Sequence, residues 1–81
     1  MKPIEARNRI MDLLKKITDE KLRKRALRAA LNYFKTTNIV EKKVCRERII
    51  TFYSEWLDKI GASNKKEQMV ALRRLILVAR R

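Results

Sequence analysis

The chain has no histidine, and only one cysteine, one glycine, one proline and one tryptophan among its 81 residues. Each shortage removes a class of structure or chemistry. Without His, and with Cys45 alone, a structural zinc site lacks ligands. Ser–His and Cys–His nucleophile pairs lack their base. A solitary Gly61 cannot build a glycine-rich phosphate loop. One Gly and one Pro are too few for the turns of a β-sandwich or barrel. A single cysteine excludes an internal disulfide and fits a reducing compartment. The first residues, MKPIEARNR, reach a charge too soon for a secretory signal. A cytoplasmic, nucleoid or nuclear location is expected, and secretion is not. The longest apolar run, Leu75 to Ala79, is too short to span a bilayer. The nine carboxylates include no marked acid–base pair. No enzymatic activity, metal or cofactor is expected.

What the chain has is positive charge. Twenty-two Lys and Arg face nine Asp and Glu, a formal +13, with an isoelectric point near 10.6. Such an excess points to a polyanionic partner, of which nucleic acid is the commonest. Apolar residues make up 46% of the sequence, enough for one small core. The chain is therefore expected to form a single basic domain over 1–81, complete or a piece of a longer chain, since the last helix is still apolar and periodic where the sequence stops.

The abundant Ala, Leu, Lys, Arg and Glu favour helix. The end signals divide the chain into four. Pro3 suits a first helical turn, and Ile10, Leu13, Leu14 and Ile17 follow at helical spacing. Thr18 reads as the next N-cap, followed by Asp19 and Glu20. Thr36, Thr37 and Asn38 break that helix. Asn38 with Glu41, and Asn64 with Glu67, resemble capping boxes, and Gly61 is placed to end the third helix. These signals predict an all-α fold, a compact orthogonal or up-down bundle of four helices over about 3–17, 19–35, 39–60 and 64–81.

Placed at about 100° per residue, Lys21, Lys24, Arg25, Arg28 and Lys35 share one stripe of the second helix with Asn32. The opposite arc is apolar apart from Arg23, so this helix is expected at the centre of the bundle. Like charges at i, i+4 oppose helix formation, which favours a phosphate-contacting role for the stripe over a merely solvated one. Lys42 and Arg46 project near the apolar side at the start of the third helix, placed either to snorkel or to extend that stripe. The third helix has a core stripe of Cys45, Ile49, Phe52, Tyr53, Trp56, Leu57 and Ile60. Its outer face is mixed, with Lys43/Glu47 and Glu55/Lys59 at pairing distance.

The fourth helix has a core stripe of Met69, Leu72, Leu75, Ile76 and Ala79. Val70, Leu77 and Val78 form a second apolar side among Arg73, Arg74, Arg80 and Arg81. An arginine-rimmed apolar patch suits a partner helix or a homodimer as well as it suits burial on both sides. The third helix, Gly61-Ala62-Ser63 and the fourth helix also resemble a helix-turn-helix, with Lys65, Lys66 and Gln68 facing bases, although Glu67 stands where an apolar anchor is usual. Ending in Ala71-Leu72-Arg73-Arg74-Leu75, the basic helical chain resembles the small DNA-clamping four-helix domains of site-specific recombinases in helix count and charge alone.

The leading expectation is a nucleic-acid-binding module, DNA slightly before RNA. It would use Lys21, Lys24, Arg25, Arg28, Lys35, Lys42, Arg46, Lys65, Lys66, Arg73 and Arg74 on phosphates. The alternative is a protein-interaction or homodimerisation module, using Val70, Leu77, Val78 and Arg81 against an acidic partner. A ribosome- or replication-associated domain combining both surfaces is a third reading. Membrane binding is not expected, because no helix joins a strong basic face to an exposed aromatic one.

Overall fold

The computed structural model describes residues 1–80 and consists of four helices: α1 Pro3–Lys15, α2 Glu20–Lys35, α3 Ile39–Lys59 and α4 Lys65–Ala79. Each helix packs on its neighbours in sequence, and α4 closes the ring against α1. The result is an all-α four-helix bundle measuring 35 × 25 × 18 Å. Among the described residues, no helix is long and apolar enough to cross a membrane.

Pro3 occupies the first turn of α1, where its missing N–H costs no hydrogen bond. Ala6, Ile10 and Leu14 follow at four-residue steps and are buried. The helix stops at Lys15, two residues before expectation. The amides of Lys16 and Ile17 turn back to the carbonyls of Leu13 and Leu14, which tightens the last turn. Ile17 still enters the core.

The cap of α2 is Asp19, one residue past Thr18. Its Oδ1 accepts the Leu22 amide at 3.0 Å, satisfying an otherwise orphan donor. Thr18 serves elsewhere: its Oγ1 accepts the indole N–H of Trp56 at 2.9 Å. Arg23, the one interruption of the apolar arc, donates from Nη1 to the carbonyl of Ile17 at 3.1 Å and so closes the end of α1. The buried positions of α2 are Ala26, Ala29, Ala30 and Tyr33. Three small side chains in that set let α3 approach closely, and α2–α3 is the most extensive helix pair in the bundle. Leu31, expected in the apolar arc, is instead more than half exposed.

Asn38 caps α3 as expected, its Oδ1 accepting the Glu41 amide at 3.0 Å. The reciprocal half of the box is replaced by Thr36, whose Oγ1 accepts the Asn38 amide and donates to the Glu41 carboxylate. At the far end Gly61 has φ +65°, a left-handed conformation that costs glycine little. Its amide bonds to the Asp58 carbonyl, and the Ala62 amide bonds to that of Leu57; this pair of bonds is the Schellman closure. Asn64 precedes α4 without capping it. Its Oδ1 accepts from Gln68 Nε2, while Gln68 Oε1 accepts the Tyr53 hydroxyl at 2.6 Å. The expected Asn64/Glu67 box is absent because Asn64 is held by Gln68, which locks the first turn of α4 onto α3.

The core joins Ile10, Leu14 and Ile17 to Ala26, Ala30, Tyr33, Ile49, Tyr53, Trp56, Leu57, Leu72 and Ile76. Ile50 belongs to it as well, because α3 packs against both α2 and α4 and so buries a wider arc than one stripe. Ile60 lies past the last turn of α3 and is half exposed, contrary to its expected core place.

Candidate nucleic-acid interface

The α2 stripe lies open. Lys21, Lys24, Arg25, Arg28 and Lys35 are all exposed, as is Asn32 between them. Lys24 pairs with Glu20 one turn away at 3.1 Å, an exposed contact of little energetic weight. The other four form no ion pair among the described residues. The stripe is not free of acids across its border. Lys21 and Arg25 share a hollow with Asp19, Glu55, Asp58 and Lys59. Within it, Lys59 reaches Asp19 at 2.5 Å. The Leu22 amide and then Lys59 hold the Asp19 carboxyl below its ordinary value. Arg28 and Lys35 lie beyond that hollow.

The expected pairs on the outer face of α3 do not form. Glu47 contacts Arg46 at 3.5 Å, and Lys59 reaches from α3 to Asp19 at the start of α2. Of the residues placed on bases in the helix-turn-helix reading, Lys65 pairs with Asp58 at 2.7 Å and Gln68 bridges Tyr53 and Asn64. Both therefore serve the α3–α4 junction, and Lys66 alone of the three stands exposed at this end.

Lys42 and Arg46 join a different surface from the stripe they were expected to extend. The Lys42 ammonium sits 5.1 Å above the centre of the Tyr33 ring, an attractive cation–π placement. Tyr33, Ile39, Lys42, Lys43, Arg46 and Arg80 line a cavity of about 360 Å³. Arg46 and Arg80 are shared with an adjoining cleft of about 330 Å³, completed by Glu47, Ile50, Arg73, Ile76 and Leu77. Side chains from α2, α3 and the end of α4 thus converge here. Arg7 of α1 lies nearby, its guanidinium 5.5 Å above the Phe34 ring and its Nε buried without a hydrogen-bond partner among the described residues. Burial pushes the Tyr33 hydroxyl above its ordinary pKa, and Arg46, Arg80 and Arg7 oppose that rise.

No family model, curated protein or solved structure matches this chain.

Arg73 and Arg74 separate on α4. Arg73 faces the α3–α4 cleft, whereas Arg74 lies in a third hollow between α1 and α4 with Arg9, Asp12 and Lys16. Sequence reasoning passed over Arg7, Arg9 and Lys16. A count of the cations on α1 and at its C-cap would have marked them, since Asp12 and Glu5 are the only acids on that helix. Of the proposed partner residues, Val70 and Leu77 are 42% and 50% exposed, with Arg73 and Arg74 on the turn between them. Val78 is a correction. It is half-buried and packs on the core, because three residues after Leu75 it falls on the inner side of α4. Arg81 lies outside the described residues. Cys45, Tyr53 and Trp56 are buried and Phe52 partly so, which leaves none of them as an exposed stacking platform.

Proposed function

We propose that this protein binds nucleic acid non-enzymatically, through phosphate contacts made by the outward face of α2 with help from basic residues of α4. The observation that carries this reading is the set of five exposed cations on one face of α2, of which only Lys24 touches a carboxylate among the described residues. A row of unneutralised cations along a helix costs self-repulsion. It is relieved when the row meets a row of phosphates and releases their condensed counterions. Duplex DNA is favoured slightly over single-stranded RNA, because an exposed helix face meets the phosphates of a duplex without needing exposed aromatic residues, and buried Trp56 and Tyr53 offer no stacking surface for splayed bases. The test is titration of labelled duplex DNA, single-stranded DNA and structured RNA over a salt series. Binding that weakens steeply with salt supports the reading, and the duplex should bind best. Absence of binding to all three at low salt refutes it.

A second reading rests on the exposure of Val70 and Leu77 on the same side of α4. Two aliphatic side chains two turns apart, with arginines between them, present a surface for an acidic amphipathic helix. A second copy of the chain fits less well, because +13 would face +13.

A further inference from the structure

We infer that the cavity bounded by Tyr33, Lys42, Lys43, Arg46 and Arg80 is a binding site for a phosphomonoester, a compact dianion carried by a strand terminus or by a small phosphorylated molecule. It is a different surface from the α2 stripe. It meets the nucleic-acid reading only in that a strand end is one source of the group.

The charge geometry sets the ligand class. Along α2 the cations form a line, which matches a line of singly charged diesters. Around Tyr33 they form a ring. Lys42, Lys43 and Arg46 come from the first half of α3, and Arg80 comes from the far end of α4. Among the described residues, no carboxylate lines this cavity. Four cations brought together around one space repel one another. A phosphomonoester, carrying about −1.5 to −2 charge at neutral pH, neutralises more of that repulsion at a single point than a diester does. Arginine forks suit its oxygens, since two N–H groups bond two oxygens in parallel.

The surroundings favour the same ligand. Tyr33 is an inner wall of the cavity and is all but buried. Lys42 already covers its ring, so a base has no open aromatic face on which to stack. What remains for recognition is charge and hydrogen-bond donors. Arg7, seated over the Phe34 ring, adds a third guanidinium to the field that acts on the hydroxyl. Glu47 lies in the adjoining cleft and holds Arg46 at 3.5 Å while itself largely exposed. A contact that long and that wet is readily exchanged for a phosphate oxygen. The volume, about 360 Å³, lies at the small end of ligand pockets and admits a phosphate with the first part of whatever carries it.

The test compares single strands of one sequence with and without a 5′-phosphate, and adds calorimetric titrations of inorganic phosphate and of adenosine 5′-monophosphate. Strands longer than the cavity load the rest of the surface equally in both arms. The wild type should prefer the phosphorylated strand by about tenfold or more, the worth of one charge-assisted hydrogen bond. In R46Q/R80Q that preference should fall to none, while the salt dependence of overall binding stays. Both side chains line open space, and glutamine keeps their stems, so the melting transition should persist. K42Q is the substitute should the double variant fail to fold. Binding of free phosphate or the mononucleotide without strand preference assigns the site to a small phosphorylated molecule. Strand preference with feeble free-phosphate binding assigns it to strand ends. Either supports the site. The proposal is overturned if the wild type ignores the terminal phosphate and binds neither small probe, or if the preference survives in the variants. It is also overturned if a phosphate-free acidic helical peptide occupies the cavity as well as phosphate does, which would make it a protein-docking groove. A protein that binds no strand but takes up phosphate loses the nucleic-acid reading and keeps this one.

Discussion

Replacing Arg25 and Arg28 together with Ala isolates the contribution of α2. Both side chains are exposed and neither forms an ion pair among the described residues. They are half of the four α2 cations in that state, the others being Lys21 and Lys35. Each duplex phosphate neutralised adds about 0.9 to the slope of log K against log salt, so four contacts give a slope of about −3.6 and two give about −1.8. Between about 50 and 200 mM salt the wild type should then lose about 150-fold in affinity, and the double variant only about 12-fold. If Lys24 leaves Glu20 to join the contact, both slopes steepen equally and their difference stands. Fluorescence anisotropy on a labelled duplex reads both. The loss should be the same on unrelated sequences, because phosphate contacts carry no base information. Folding supplies the control. Alanine is the best helix former, and the substitution removes the Lys21/Arg25 and Lys24/Arg28 repulsions, each worth about 0.2–0.5 kcal/mol. The variant should therefore melt no lower than the wild type. A well-folded variant with an unchanged salt slope would refute the reasoning and leave the α2 stripe as a solvated face.

Four further outcomes are expected. Leu77→Glu should leave the melting temperature within a few degrees of wild type, because the side chain is half exposed; if an acidic helical partner uses α4, the variant should lose it in pull-down, and a collapse of folding would show that Leu77 is structural. Gly61→Ala should cost about 1 kcal/mol by thermal melting, since no neighbour lies within 4 Å of an added Cβ and only the left-handed backbone resists it; an unchanged melting temperature would contradict the Schellman closure. Thr18→Val keeps size but removes the acceptor of the Trp56 indole N–H, and should cost about 1–3 kcal/mol with a shift in tryptophan emission; no change in either would show that water serves the indole equally well. Asp19 has a lowered carboxyl pKa in the folded protein, so its contribution is present above the unfolded value and disappears as pH falls through the folded one. Denaturant midpoints should accordingly drop below about pH 3.8, and Asp19→Asn should flatten that acid limb, whereas an unaltered limb would remove Asp19 from the acid response.

How far the sequence disclosed all this depends on the range of the interaction. Asn38 and Gly61 were legible because a cap is decided within three or four residues of itself. Thr18 and Asp19 are adjacent and both suit a cap. The choice between them is made by Trp56, which claims the Thr18 hydroxyl from α3, and no local pattern carries that. The α2 stripe was visible because helical periodicity alone defines it. The ring around Tyr33 was not, since Lys42, Arg46 and Arg80 meet only after α3 and α4 have packed. Val78 and Ile50 show the resolution of periodicity: a helix touched by two neighbours buries a wider arc than one stripe, and residues at its margins change side.

The closure of α4 against α1 also shapes how the molecule forms. The α2–α3, α1–α2 and α3–α4 contacts join helices linked by short connections, whereas α1–α4 brings together segments roughly fifty residues apart. Loop-closure entropy is therefore largest for that last pairing, and the α2–α3 hairpin has the most extensive contact at the smallest loop cost. Amides of α2 and α3 should be the last to exchange with solvent, and those of α1 and α4 should open together, because each is the other's cover. Arg80 travels with α4, so every such opening dismantles one wall of the ring around Tyr33, and whatever occupies that ring holds the late-closing half of the bundle to the early one.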